Sequence, residues 1–395
     1  MTSDELFKPL SSEFQSDPYS MYRRLREVEP VHWFEPLESW IISQYDDCRR
    51  ILTDYRGFAA DADAPGIQSL DPPVSLPYRS LVRTGLRAAE TIEFRSLMAK
   101  RARELLLGLS GKESFDVMRE FIGPFALAVL CDLIGVPAPQ FNEFDHDATA
   151  LQRAMDGGLR PEVISPAVEA RARISKVISV WFADHEPGLL GHVLNGANNI
   201  QVDMESVHDT VRFIIFSTYG TGTAALGNAV VALLQQPSRL RGLSAIPADQ
   251  WHTACDELLR YDGPVQVTAR RCAAQTTVGS QTIAVGDNLI LLLGSANRDG
   301  RQFEEPDSLD LYRAPNPHFA LGWGAHVCLG ANLTLSMMET ALRALLENVP
   351  DLILEDLPRR KGISTSRAFA AIPVRRGGMP PAPYDVPFAT HPSKG

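Results

Sequence analysis

The sequence predicts a mainly α protein with a smaller β part, and two observations carry that reading. From Tyr78 to about residue 347 the pattern is mostly helical, with segments near 78–87, 89–110, 116–135, 139–155, 163–185, 204–235 and 248–261. Short strand-like runs at 265–269, 277–278, 282–284 and 288–293 are each bounded by Gly, Pro or Asp turn signals.

Taken in order, the chain opens with an amphipathic helix over 17–26, where Tyr19, Tyr22 and Leu25 recur every three residues after Asp17-Pro18. Two strand-like runs follow at 31–34 and 40–43, split by Glu35-Pro36. The β part is thus expected at about 28–45 and 265–293, with the C-terminal region added. Residues 58–77 are rich in Ala, Asp and Pro and hold no sustained period; they read as a long ordered loop, a feature that compact domains usually keep for function. No internal repeat or linker interrupts the chain, so residues 1–395 are expected to form a single domain.

With 45% apolar and 22% charged residues the chain can bury a large core. Its net charge of −10 argues against non-specific binding to nucleic acid or to an anionic membrane, both of which need a basic surface. The N-terminus carries acids where a secretory signal needs a basic and then an apolar region, and no run of about 20 apolar residues occurs, so a cytoplasmic location is expected. Five cysteines (48, 131, 255, 272 and 328) lie far apart and are odd in number. Neither a disulfide framework nor a CxxC metal site follows from that spacing.

Cys328 stands apart from the other four. Residues 318–333 read HFALGWGAHVCLGANL, which sets Gly322 and Gly324 just before a cysteine at the opening of a helix whose apolar face includes Leu333, Met337, Ala341 and Leu345. A thiolate there gains from the helix dipole, and the glycines let backbone approach a flat ligand closely. A dinucleotide loop of GxGxxG type fails because the third glycine position is Val327. A nucleophilic cysteine needs a base within reach, and His326, two residues away, more naturally points elsewhere. A buried cysteine beside a glycine turn is the third reading.

The segment resembles the haem-binding loop of the cytochrome P450 family, and the resemblance covers nearly the whole length. Against the pattern FGxGxHxCxG, Leu321 replaces the Phe, while Gly322, Gly324, His326, Cys328 and Gly330 match. The resemblance implies haem b, non-covalently held, with Cys328 as the sulfur ligand to iron and His326 on a haem propionate. Gly330 would leave backbone N–H groups free for the sulfur. Glu257 and Arg260 lie at i, i+3 on one helix; the family locks such a pair to an arginine at the place of Arg313. Arg79, after a DPP motif in which Ser75 replaces the usual His, and Arg270 would hold propionates.

By the same resemblance, the expected activity is that of a haem-thiolate monooxygenase oxidising a hydrophobic small molecule, a secondary-metabolite intermediate, with O2 and two electrons supplied from outside. A ferredoxin and its reductase are the implied donors, because the chain has no flavin, nicotinamide or iron–sulfur fingerprint. Arg298 and Arg301 are candidates for docking the donor, and Leu335 stands where relatives often carry a basic residue. The pocket is expected to include the 58–77 loop, Phe213, Phe216, Thr221, Val265 and Val267. Two alternatives stay open: oxidative coupling, ring closure or desaturation without oxygen insertion on the same fold, and a haem protein that binds a ligand without turnover.

One departure concerns the long helix read over 207–236. Relatives typically show Ala-Gly-x-(Asp/Glu)-Thr where this chain has Ser217-Thr218-Tyr219-Gly220-Thr221. The alcohol is kept and the acid is gone. Proton delivery is therefore expected to run through Thr221, water, Ser217, Thr218 or the substrate. Gly220 and Gly222 weaken the helix by about 1 kcal/mol each relative to Ala, which suits either an opened groove or close packing.

Overall fold

A computed structural model describes residues 6–61, 66–183, 188–200 and 202–377. Helices dominate, arranged around one 31-residue helix, Met204–Leu234. Asp203 starts it by accepting the Ser206 N–H at 2.7 Å, the side-chain cap that an N-terminal turn needs. At 1.5 Å per residue it spans roughly 46 Å. Its C-terminal half is buried on all sides, so from Gly222 to Leu233 the sequence is apolar or small apart from Asn228, whose amide donates to Asp262 O and Arg367 O. Against this helix pack Gly123–Ile134, Phe141–Arg153, Leu189–Ala197, Trp251–Tyr261 and Ala331–Asn348.

The helices expected from periodicity are present, with shifted ends: 78–87 begins earlier, at Ser75, and 116–135 divides into a π-turn Met118–Ile122 and the helix Gly123–Ile134. Three further helices escape the pattern: Tyr45–Thr53, Leu189–Ala197 and Pro237–Ser244 are each nine residues or fewer, too short to show three full turns of period. The N-terminal helix starts only at Tyr19 and is preceded by a five-residue helix, Ser12–Ser16.

The β part is a five-stranded sheet in the spatial order Val31–Phe34, Ser39–Ile42, Asn288–Leu292, Val267–Cys272 and Phe58–Ala59. Ser39–Ile42 and Asn288–Leu292 run parallel, and the other neighbours are antiparallel. The loop expected over 58–77 is more structured than its composition implies: it starts in that sheet, makes a 3-10 turn at Gly66–Ser69 and ends in the helix that begins at Ser75. Residues 62–65 of it lie outside the described residues. In the C-terminal region, Pro373–Arg375 pairs with both Ser114–Asp116 and Ile353–Leu354, while Arg359–Arg360 pairs with Phe369–Ala371. No helix among the described residues is long and apolar enough to cross a membrane.

Candidate functional site

Where the helices meet the sheet, the segment Phe319–Gly330 forms a tight loop. Gly322 has φ +72° and Gly324 φ +62°, left-handed values that a side chain resists. A Cβ on Gly324 would also lie 2.5 Å from the Leu52 carbonyl oxygen, so the loop rests backbone to backbone on the helix Tyr45–Thr53. The Cys328 N–H donates to Leu321 O at 2.8 Å, closing the loop and presenting the thiol. Phe319 is fully buried, stacked on Tyr45 at 4.5 Å, and its N–H donates to Asn297 Oδ1 at 2.7 Å. The adjoining helix opens at Ala331, three residues later than the sequence reading placed it.

Cys328 is the one exposed cysteine of the five. Its thiol is nonetheless crowded, and burial pushes its pKa up, against the Gly330 N–H and the Arg79 charge, which pull it down. The Gly330 N–H directed at the sulfur is the contact expected from the sequence.

Two arginines and a histidine converge on the same region. Arg79 donates from Nη2 to Val327 O at 2.6 Å. Arg270 is 7% exposed, and its hydrogen bonds among the described residues all leave from Nη1, to Ala269 O at 2.7 Å and Thr268 Oγ1 at 3.4 Å. Burial lowers its pKa, and Asp71 acts the other way. His326 Nε2 lies 2.7 Å from Asp71 Oδ1, and burial lowers the imidazole pKa against the pull of that carboxylate. Asp71 is the partner the sequence reading missed; the DPP motif placed it near Arg79 without indicating that it faces His326. A buried arginine that bonds only through Nη1 and a histidine, both facing Asp71, with Arg79 beside the histidine, fit a flat ligand carrying further carboxylates. The accessible thiol of Cys328, beside Arg79, fits an iron at that ligand's centre.

Glu257 and Arg260 meet Arg313 as the pattern implied. Glu257 is fully buried; it takes Arg260 Nε at 2.7 Å and Nη2 at 2.8 Å, and Arg313 Nε stands 3.2 Å from it. The remaining donors of Arg260 reach Asn297 O, Pro306 O and Ser308 O, so all five guanidinium N–H groups are used. His318, not singled out in the sequence, ties this region to the cysteine loop: its Nε2 lies 2.9 Å from Asp256 Oδ1 and its Nδ1 accepts the Ala320 N–H.

Arg298 departs from expectation. Only 4% exposed, it is clamped between the rings of Tyr19 at 3.6 Å and Tyr261 at 4.1 Å and donates to Tyr261 O, so it is unavailable for docking an electron donor. A cation followed by Asp reads as surface in sequence; here two aromatic faces outweigh solvation. Arg301 is exposed and pairs with Asp299 at 3.7 Å. Leu335 is half-buried against the helical core.

On the central helix, Thr221 Oγ1 donates to Ser217 O at 2.5 Å, Ser217 Oγ to Ile214 O and Thr223 Oγ1 to Gly220 O. Ser217, Thr218 and Thr221 are half-buried. The helix runs unbroken through Gly220 and Gly222, and the glycines serve close packing: a Cβ on Gly222 would meet Met337 Cε at 2.5 Å and one on Gly220 would meet Gln152 Nε2 at 2.4 Å. Phe213, Phe216, Val265 and Val267 are all half-buried, the first two against the helical core and the valines against the sheet-side clusters.

Residues 252–350 match the profile of the family described as Cytochrome P450. Cytochrome P450 123 of Mycobacterium tuberculosis is 30% identical over 400 residues, covering 93% of this chain and 96% of that protein. The biotin biosynthesis cytochrome P450 of Bacillus subtilis is 29% identical, with 92% and 97% covered. Among solved structures, epothilone D-bound cytochrome P450epoK superposes with a TM-score of 0.86 at 25% identity, covering 94% of this chain and 99% of that one. The chain belongs to the cytochrome P450 family of haem-iron oxidoreductases.

Proposed function

We propose that the protein is a monooxygenase that holds haem b through Cys328 Sγ, and that it oxidises a hydrophobic small molecule with O2 and two electrons from a ferredoxin and its reductase. The carrying observation is the accessible Cys328 thiol beside an under-partnered cationic cluster. When bound, a thiolate-ligated haem supplies the oxygen-activating chemistry, since the sulfur pushes electron density toward the iron and favours O–O cleavage. The chain's own residues do the rest. Gly330 N–H and Arg79 stabilise the thiolate over the thiol. Arg79, Arg270 and His326 hold the propionates, and the Glu257–Arg260–Arg313 cluster fixes the segment that leads into the cysteine loop. Phe213, Phe216, Val265 and Val267 form apolar walls for the substrate, and the Thr221 hydroxyl stands in the central helix as the group through which a proton is handed on.

A secondary-metabolite intermediate is the substrate class we assign. Similar proteins include the polyketide biosynthesis cytochrome P450 PksS of Bacillus subtilis, 29% identical, and the 20-oxo-5-O-mycaminosyltylactone 23-monooxygenase of Streptomyces fradiae, also 29% identical. The absence of a spanning helix among the described residues accords with action in the cytoplasm. The bare Gly220 in place of a helix acid favours a second reading, oxidative coupling without oxygen insertion, which labelled O2 separates by whether the product gains an oxygen atom.

The reading is tested by the carbonyl complex of the reduced protein, whose Soret band should show the red shift of thiolate ligation. Cys328→Ala should abolish that band; a variant that keeps it removes Cys328 from the iron and the reading with it.

A further inference from the structure

The notch left by Gly220 is filled from outside the central helix. Gln152, near the end of the helix Phe141–Arg153, presses its amide against Gly220, 2.4 Å from where a Cβ would stand. Its Oε1 accepts from Lys361 Nζ at 3.1 Å, and the same ammonium donates to Thr149 Oγ1 at 3.0 Å. Lys361 is 9% exposed and forms no ion pair among the described residues. Asp145, Thr149 and Gln152 follow one another at i, i+4 and i+7, so one face of that helix carries a polar stripe between the central helix and Lys361. Asp145, the carboxylate of the stripe, accepts the Tyr219 hydroxyl at 2.9 Å. From the other side, Arg153 Nη2 bonds the Lys361 carbonyl at 3.4 Å.

An ammonium held by an amide and a hydroxyl alone is an expensive way to fill a core, where a methionine of similar length leaves no charge to desolvate. Burial lowers the Lys361 pKa, with Asp145 raising it and Arg153 lowering it further, which leaves an ammonium that parts with its proton readily. Thr221, the residue after Gly220, gives its own proton to Ser217 O and keeps lone pairs to accept another.

We propose that Lys361 is the proton source for Thr221 in this chain, with Gln152 as the positioning residue that holds it against the central helix in place of a helix-borne acid. In the step, an Nζ–H bond breaks as an O–H bond forms on a bridging water, which gives one of its own protons to the Thr221 hydroxyl while Thr221 releases the proton it held toward the substrate, so that both oxygens end with the protons they began with. The amine left behind regains its proton from solvent, and nothing on the protein is oxidised or reduced. This inference rests on the monooxygenase reading.

Two readouts test it on haem-loaded protein. The first is urea unfolding from neutral pH to about 10. The lowered folded-state pKa means that Lys361 binds more protons in the unfolded chain across this window, opposite in sign to the buried thiols and phenols, so the stability of wild type relative to Lys361→Met should rise with pH. Gln152→Glu, isosteric and able to pair with the ammonium, should flatten that rise. The second readout is the peroxide released per NADPH consumed without substrate, with a plant-type ferredoxin and its reductase as surrogate donors. In wild type this fraction should rise toward alkaline pH. Lys361→Met should raise it several-fold at neutral pH and remove the pH dependence, and Lys361→Arg, which keeps the charge but does not give up a proton, should raise it likewise. Should Lys361→Met not fold, the Lys361→Arg and Gln152→Glu profiles decide. Wild-type peroxide profiles in these variants, with the thiolate carbonyl band intact, overturn the relay; a wild-type protein lacking that band overturns the monooxygenase reading itself.

Discussion

The two cationic clusters of this protein are built from the same kinds of residue and behave in opposite ways. In the Glu257–Arg260–Arg313 cluster every guanidinium donor of Arg260 has an acceptor, and the ring of Phe303 lies 5.3 Å beneath it. Around Asp71, Arg270 is nearly as deeply buried but bonds only its own strand, and Asp71 faces both it and His326. A closed set of partners marks a joint that holds elements together. An open set marks a place where charge awaits a ligand, and perturbation there should be felt in binding before it is felt in folding.

The largest effect that divides the two comes from Glu257→Gln. It leaves two arginine charges facing a neutral amide in a fully buried site, and breaking such a pair from one side costs about 3–5 kcal/mol. Urea unfolding should show that loss with or without haem. An unchanged midpoint would mean the cluster does not support the fold.

Arg270→Leu should behave in the reverse manner. The variant removes a desolvated charge, so haem-free stability should hold or rise. Haem retention should fall roughly 10–100-fold, the equivalent of a charge-assisted hydrogen bond of about 1.5–3 kcal/mol. Transfer of haem to an acceptor globin measures it; unchanged retention with lower stability would reassign Arg270 to the scaffold.

Thr221→Ala is expected to act on chemistry alone, raising peroxide release at little cost in stability. Gly220→Asp should also alter the fraction of electrons reaching product, and it must first displace Gln152. If both variants match wild type in rate, product and peroxide, the central helix does not carry the proton route.

Much of this division was visible in the sequence, because local chemistry encodes it. Glycines before Cys328, Glu257 and Arg260 one turn apart, and long periodic helices are statements about neighbours along the chain. What escaped are pairings between distant segments: Asp71 with His326, Gln152 with Gly220, Lys361 with Thr149. Arg298 failed for the same reason, since the rings that enclose it lie 279 positions upstream at Tyr19 and 37 upstream at Tyr261. The short helices Tyr45–Thr53 and Leu189–Ala197 owe their place to burial against neighbours rather than to period.

The smallest effect comes from Asp71→Asn. Burial already holds the His326 pKa below its ordinary value, and Asp71 is the partner that resists this by favouring the imidazolium. Without the carboxylate the pKa should fall further, which proton NMR titration of the haem-free protein reads directly, with His326→Gln supplying the assignment. The sign carries over to stability. With the folded-state pKa below the unfolded one, the unfolded chain binds more protons between the two, so stability declines as pH drops through that window. Asp71→Asn widens the window, and each unit of widening deepens the acid loss by about 1.4 kcal/mol. The gap to wild type should therefore be wider near pH 5 than at pH 8, where only the attraction between Asp71 and Arg270 is lost. An unchanged His326 pKa would show that Asp71 does not act on the histidine, and the cluster around Asp71 would have to be redrawn without it.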